Sequence, residues 1–126
     1  MIVYKVTDEE GGKHYSWAAG GMARIEYIVG VPVIAPDWLA ERGYHIVAFS
    51  NLEDAQKYIT WERSNLLGER FPFGLWEAEA EDLVATPPIC YLSKLFDGCL
   101  EVCEMLDEWF KGTIMVKKLT LLRRVE

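Results

Sequence analysis

Few residues in this 126-residue chain are of the types that make or break bonds, and their spacing decides what they could do. Cys99 and Cys103 stand four apart, which places two thiols on one face of a helix, with Cys90 a little upstream. Zinc takes four ligands, usually drawn from tight Cys-x-x-Cys knuckles, and that spacing is missing. The two helical cysteines instead continue an apolar stripe, where a free cysteine behaves as a small buried hydrophobe. No metal is expected. His14 and Ser16, two apart on a strand, point the same way and form the start of a nucleophilic dyad. No Gly-x-Ser-x-Gly elbow surrounds the serine and no acid is placed to orient the imidazole, so the pair reads as a polar strand face. His45 opens an apolar strand just after a glycine turn. There it could line a pocket and titrate near neutrality, or donate a ring proton to a carbonyl and stay silent. Glu77, Glu79 and Glu81 share one strand face without the desolvating surround that a raised carboxyl pKa needs. His45, Glu77 and Glu79 are the residues left for acid–base work, and no spacing unites them.

Cofactor motifs are missing too. Gly11-Gly12-Lys13 is followed by His14 where a phosphate loop needs Ser or Thr, and no glycine precedes it at the required distance. Gly20-Gly21 opens no helix, so the anion-binding geometry of a helix N-terminus is not formed there. No cofactor is expected.

The elements that must position these residues follow from periodicity. Ile2 to Val6 alternates as a strand, Asp8 to Gly12 turns, and Lys13 to Ala19 returns. Arg24 to Val29 alternates, with Ile25, Tyr27 and Val29 expected inside. Pro36 and Gly43 bracket a brief helix from Asp37 to Arg42. His45 to Phe49 is a short strand. Ser50 with Glu53 three residues on reads as a capping box for a helix from about Asn51 to Arg63. Leu52, Ala55 and Ile59 form its stripe, Glu53 faces Lys57, and Trp61 falls towards the polar side. Residues 64 to 74 read as a loop, and Leu75 to Ala80 as a strand stopped by Pro87-Pro88. Asp97 caps an amphipathic helix from Gly98 to Lys111, its acidic arc formed by Glu101, Glu104, Asp107 and Glu108. Ile114 to Val125 is the last and most basic strand, and Lys117, Lys118, Arg123 and Arg124 suit it to lie beside the acidic Leu75 strand.

These elements predict an α+β fold: a single mixed, mostly antiparallel sheet of five to six strands, packed by two main helices. The length fits one domain over residues 1–126. No apolar run approaches a membrane span and the N-terminus lacks the pattern of a signal peptide, so a cytoplasmic protein is expected. An odd count of three cysteines argues for reduced thiols. A net charge of −7 disfavours direct binding of nucleic acid and suits a basic protein partner. Five tryptophans and six tyrosines supply residue types enriched at interfaces, with Trp38 and Trp61 the first to examine for exposure.

Several short pieces share an order seen elsewhere. They are Tyr4-Lys5-Val6, Tyr27-Ile28-Val29-Gly30, Gly43-Tyr44-His45 with Asn51-Leu52-Glu53-Asp54-Ala55 and Tyr58, Trp76-Glu77-Ala78-Glu79-Ala80, and Lys118-Leu119-Thr120-Leu121. In that order the chain resembles a family of small uncharacterised domains found mainly in phage and prophage-like contexts. The resemblance implies a compact α+β fold and brings no activity to carry over. Residues 83–112 depart from it and read as a helical addition to the core unit.

The expectation for function is a non-enzymatic interaction protein that binds a protein partner or sequesters a small ligand, with Trp38, Trp61, Glu101, Glu104 and Glu108 as candidate contact residues. One alternative is a diverged nucleotide-handling enzyme with a split sheet like that of ADP-ribosyl-transferring folds. Another is a structural domain that self-associates as a homodimer.

Overall fold

The computed structural model describes residues 1–16, 24–41, 43–65, 73–86 and 110–126. The elements run β1 (Ile2–Glu10), β2 (Lys13–Ser16), β3 (Glu26–Tyr27), β4 (Val33–Ile34), α1 (Asp37–Ala40), β5 (Ile46–Phe49), α2 (Leu52–Asn65), β6 (Phe73–Val84) and β7 (Thr113–Arg124). All seven strands join one sheet in which every pairing is antiparallel.

That sheet closes on itself. β1 pairs with β6 from Ile2↔Glu79 to Asp8↔Phe73, β6 pairs with β7, β7 pairs with β5, and β5 returns to β1 through the single pair Tyr4↔Phe49. The result is a closed ring of four strands. Past the end of β5, the same edge of β1 carries β2 (Thr7↔Ser16 to Glu10↔Lys13), and β2 carries β3. Past the other end of β5, the edge of β7 carries β4 (Val33↔Leu119, Ile34↔Lys118). Five residues connect β3 to β4, and Gly30 N donates to Leu121 O at 2.9 Å on the way. The segment from Glu26 to Ile34 is therefore a strap that crosses from the β2 edge to the β7 edge.

The predicted α+β architecture is overturned, and the α+β fold implied by the family resemblance with it. Among the described residues the sheet has seven strands, not five or six, and four of them close into a barrel instead of lying flat under two main helices. The physical reason is strand length. β1 extends four residues beyond the predicted end at Val6, and β6 spans 12 residues, so β1 reaches three partner strands and β6 two. One of the two expected main helices, Gly98 to Lys111, lies almost wholly outside the described residues. So do Trp17, Ala18 and Ala19 of the expected second strand.

A ring of four strands has a narrow interior that side chains must fill. Val3, Ile46, Ala48, Trp76, Ala78, Ala80, Val116, Leu119 and Leu121 form one buried cluster with Tyr27 from the strap. The alanines suit the narrow bore. A second cluster lies between the outer face of β1, β5 and β6 and α2, where Val6, Phe49, Phe73 and Leu75 meet Ala55, Tyr58 and Ile59. A third sits around α1 from Leu39, Ala35, Tyr44 and Met115. The stripe expected on α2 is thus its packed face, widened by Tyr58, and Lys57 pairs with Glu53 at 3.1 Å as the spacing suggests.

The cap of α2 differs by one residue from expectation. Asn51, not Ser50, accepts from the Asp54 backbone N–H (2.8 Å) and donates its amide to Asp54 Oδ2 (2.8 Å). The Ser50 N–H is instead spent on Gly112 O at 2.9 Å, tying the start of β7 to the start of α2. Gly112 sits at φ +83°, and a Cβ there would fall 2.3 Å from Asp54 Oδ2. Gly30 is equally left-handed at φ +81° but opens onto free space. Gly112→Ala should therefore cost about 2–4 kcal/mol, adding collision to backbone strain, while Gly30→Ala should cost only about 1 kcal/mol. Urea unfolding of both variants measures the difference, and equal losses would contradict the close approach.

Candidate functional site

β1 places Val3, Lys5 and Thr7 on its inner face, so alternation carries a lysine into the barrel wall. Lys5 is only 6% exposed. Its Nζ donates to Val47 O at 2.6 Å and lies 5.4 Å from the Tyr27 ring centroid. Among the described residues no carboxylate pairs with it. Burial alone therefore drives its pKa down, from 10.5 to about 8. Burial likewise pushes the Tyr27 phenol upward, opposed by a hydrogen bond with Ser16. Ser16 is itself locked to the strap: its Oγ accepts from Ile25 N at 3.1 Å, and its backbone N–H donates to Ile25 O at 2.9 Å.

The position of Lys5 explains why it is there. The ladder between β1 and β5 consists of one residue pair, Tyr4↔Phe49. Val47 lies two residues beyond it, where β1 and β5 no longer pair with each other, and the amine of Lys5 reaches across that seam to its carbonyl. A buried carbonyl without a donor costs roughly 1–3 kcal/mol, so the lysine serves as a side-chain rung.

A second polar group sits farther along the inner face. The Trp76 indole donates to Thr7 Oγ1 at 2.9 Å. His14 packs edge-on against Trp76 at 4.8 Å, and the Arg124 guanidinium lies 5.6 Å from the same ring. Arg124 bonds Glu9 and also donates to Phe73 O at 3.2 Å. His14 Nδ1 is 3.7 Å from Glu9 Oε1, too far for a hydrogen bond. An imidazole, a carboxylate and two hydroxyls thus gather along one face, but the carboxylate is held by arginine and Ser16 by the strap. These groups join β1, β2, β6 and β7. They do not present a nucleophile and its base.

The residues singled out by sequence lie apart. His45 sits just before β5, at the level of Lys117 on β7, and burial together with that lysine's charge lowers its pKa. Glu77 pairs in register with Arg123, about 20 Å along the strand from Lys117. Its carboxylate meets Arg123 Nε at 2.5 Å. Glu79 meets the Met1 amine at 2.5 Å, and Glu81 meets Lys118 at 3.4 Å. The acidic strand face is thus matched to the basic strand beside it. Trp38 is half-buried against the α1 cluster. Trp61, half-buried, packs edge-on against Phe110 at 4.8 Å, and that ring in turn packs on the α2 cluster. Glu101, Glu104 and Glu108 lie outside the described residues, as do Cys90, Cys99 and Cys103. Among the described residues no group of three or more His, Cys, Asp or Glu could hold a metal ion. None of their helices is long and apolar enough to cross a membrane.

The feature the sequence reading missed is on the strap. Tyr27 turns inward as expected, but Val29, expected inside, is exposed, and Ile28, Val31 and Ile34 are exposed with it. Ile28 is 55% and Ile34 62% accessible. Leu122, left out of register by a β-bulge in β7, is exposed next to the Gly30–Leu121 hydrogen bond. The signal was available in Ile28-Val29-Gly30-Val31-Pro32-Val33-Ile34, a run too apolar to alternate and too punctuated to be a core strand. No family model, curated protein or solved structure matches this chain.

The lysine rung has a measurable pH signature. Its folded pKa lies below its unfolded value, so the unfolded chain binds more protons between pH 8 and 10.5. Stability should rise by about 3 kcal/mol as pH increases from 8 to 10.5, and that gain should be absent below pH 8. Chemical denaturation of the wild type against Lys5→Met checks it: the variant should lack the rise, and an identical pH slope in both would show that Lys5 is not the group responsible.

Proposed function

We propose that this chain is a non-enzymatic protein-interaction domain whose contact face is the apolar strap from Ile28 to Ile34. The observation that carries the reading is the exposure of Ile28, Val29, Val31 and Ile34 within seven residues, on a segment pinned to β7 at Gly30. Contiguous exposed apolar surface on a small domain is the mark of a contact site, unlike scattered single hydrophobes. The pinning lowers the ordering cost on binding, since the backbone is already held.

A protein partner is favoured over a sequestered small ligand because the barrel bore is occupied by packed side chains, Val3, Ala78, Ala80 and Leu121 among them. The nucleotide-handling alternative finds no support in the sheet, which closes where that reading calls for a split, or in His45, which faces a lysine instead of a carboxylate. The likeness to small phage-type domains and a cytoplasmic location belong to this proposal as well, resting on the sequence pieces and on the reduced state expected of the cysteines.

A photo-crosslinking residue at position 34, compared with one at exposed Gln56 on α2, tests the contact face in the cell of origin. Position 34 should give discrete covalent adducts, with itself or with another protein, that Ile28→Asp removes. Adducts no different from those at position 56 would overturn the reading.

A further inference from the structure

The strap carries charge of opposite sign at its two ends. Glu26 is exposed two residues before Ile28, and alternation sends it to the same outer side, since Tyr27 between them is buried. At the far end Ile34 pairs with Lys118, and Lys117 is exposed beside it. Lys118 is engaged by Glu81 at 3.4 Å, whereas Lys117 makes no ion pair among the described residues. The arrangement is an apolar strip with an anion at one tip and a cation at the other.

Such a strip is complementary to itself. Under a two-fold rotation the two straps run antiparallel, so Ile28 of one copy meets Ile34 of the other, and each Glu26 comes to the Lys117 end of the opposite strap. We propose that the occupant of this face is a second copy of the chain, packed strap against strap in an isologous dimer; the inference rests on the strap being a contact face. Pro32 and Pro36 flank β4 and remove main-chain donors next to it, so the contact is made by side chains and not by adding a strand to the β4 edge.

A rim charge pair contributes little alone, but two-fold symmetry makes it twice, and reversing one member turns both attractions into repulsions. Sedimentation equilibrium over about 1 µM to about 1 mM is the measurement, a range that spans weak and moderate dimers. Wild-type protein should sediment as a concentration-dependent dimer. Ile34→Asp should make it monomeric with its thermal unfolding unchanged, since the residue is exposed. Glu26→Lys and Lys117→Glu should each weaken the dimer roughly three- to tenfold, and the double variant Glu26→Lys/Lys117→Glu should restore it. Should Ile34→Asp unfold, Ile28→Ser serves in its place.

A monomer throughout the range overturns the proposal, as does a dimer indifferent to Ile34→Asp or one that the double reversal fails to restore. The contact-face reading fails separately. If position 34 crosslinks to a different protein while the pure chain stays monomeric, the strap is a contact face but not a homodimer interface. If it crosslinks to nothing, both are wrong.

Discussion

The seam between β1 and β5 is the constraint on which the rest of this structure depends. Every other junction in the ring is a run of register pairs, seven between β1 and β6 and four between β5 and β7. This one is a single pair, Tyr4↔Phe49, supplemented by an amine from the side chain next to it. Closing the ring there removes two edges that would otherwise present unpaired N–H and C=O groups, and only closure removes edges completely. The cost is a lysine held where its charged form is disfavoured. A methionine of similar reach would avoid that cost but leave the Val47 carbonyl without a donor. The chain resolves the conflict by making one polar contact at the point where main-chain pairing runs out.

The short β5 has a second effect. Because it covers only part of the edges of β1 and β7, those edges must be covered by something else farther along. β2 and β3 take one, β4 takes the other, and the strap between them bridges the interval. Tyr27 is carried into the barrel core by this bridge, which is why a two-residue strand contains one of the most buried side chains. The same bridge cannot bury both of its faces. With Tyr27 and Ile25 committed inward, Ile28, Val29, Val31 and Ile34 are left on the solvent side. The apolar surface is a geometric by-product of completing the sheet, available to be used as a contact.

Much of this was legible in the sequence wherever a local signal was sufficient. α2 was readable from its stripe and its i,i+4 pair, and the partnership of the acidic and basic strands from charge alone; Arg123–Glu77 and Lys118–Glu81 bear it out. The misplaced cap concerns two neighbours, Ser50 and Asn51, that are both good cap residues; the Ser50 N–H that a capping box would engage is bonded to Gly112 O, some sixty positions along, a contact no local pattern announces. Ring closure was not legible because it depends on Tyr4 meeting Phe49, a long-range register that no periodicity encodes. Lys5 was overlooked for a related reason. In an alternating strand a lysine reads as the solvated face, and only closure of the ring and the inward Tyr27 of the strap show that this face is covered. The strap was obscured by its two prolines, which mark a connection and conceal how much surface that connection displays.

Val84 and Met115 stand opposite each other at the open end of the β6–β7 ladder. Cross-strand neighbours have Cα atoms about 5 Å apart. The chain thus leaves and re-enters the barrel through nearly the same point. Two ends held this close are the geometry at which a guest domain could be grafted without rebuilding the host.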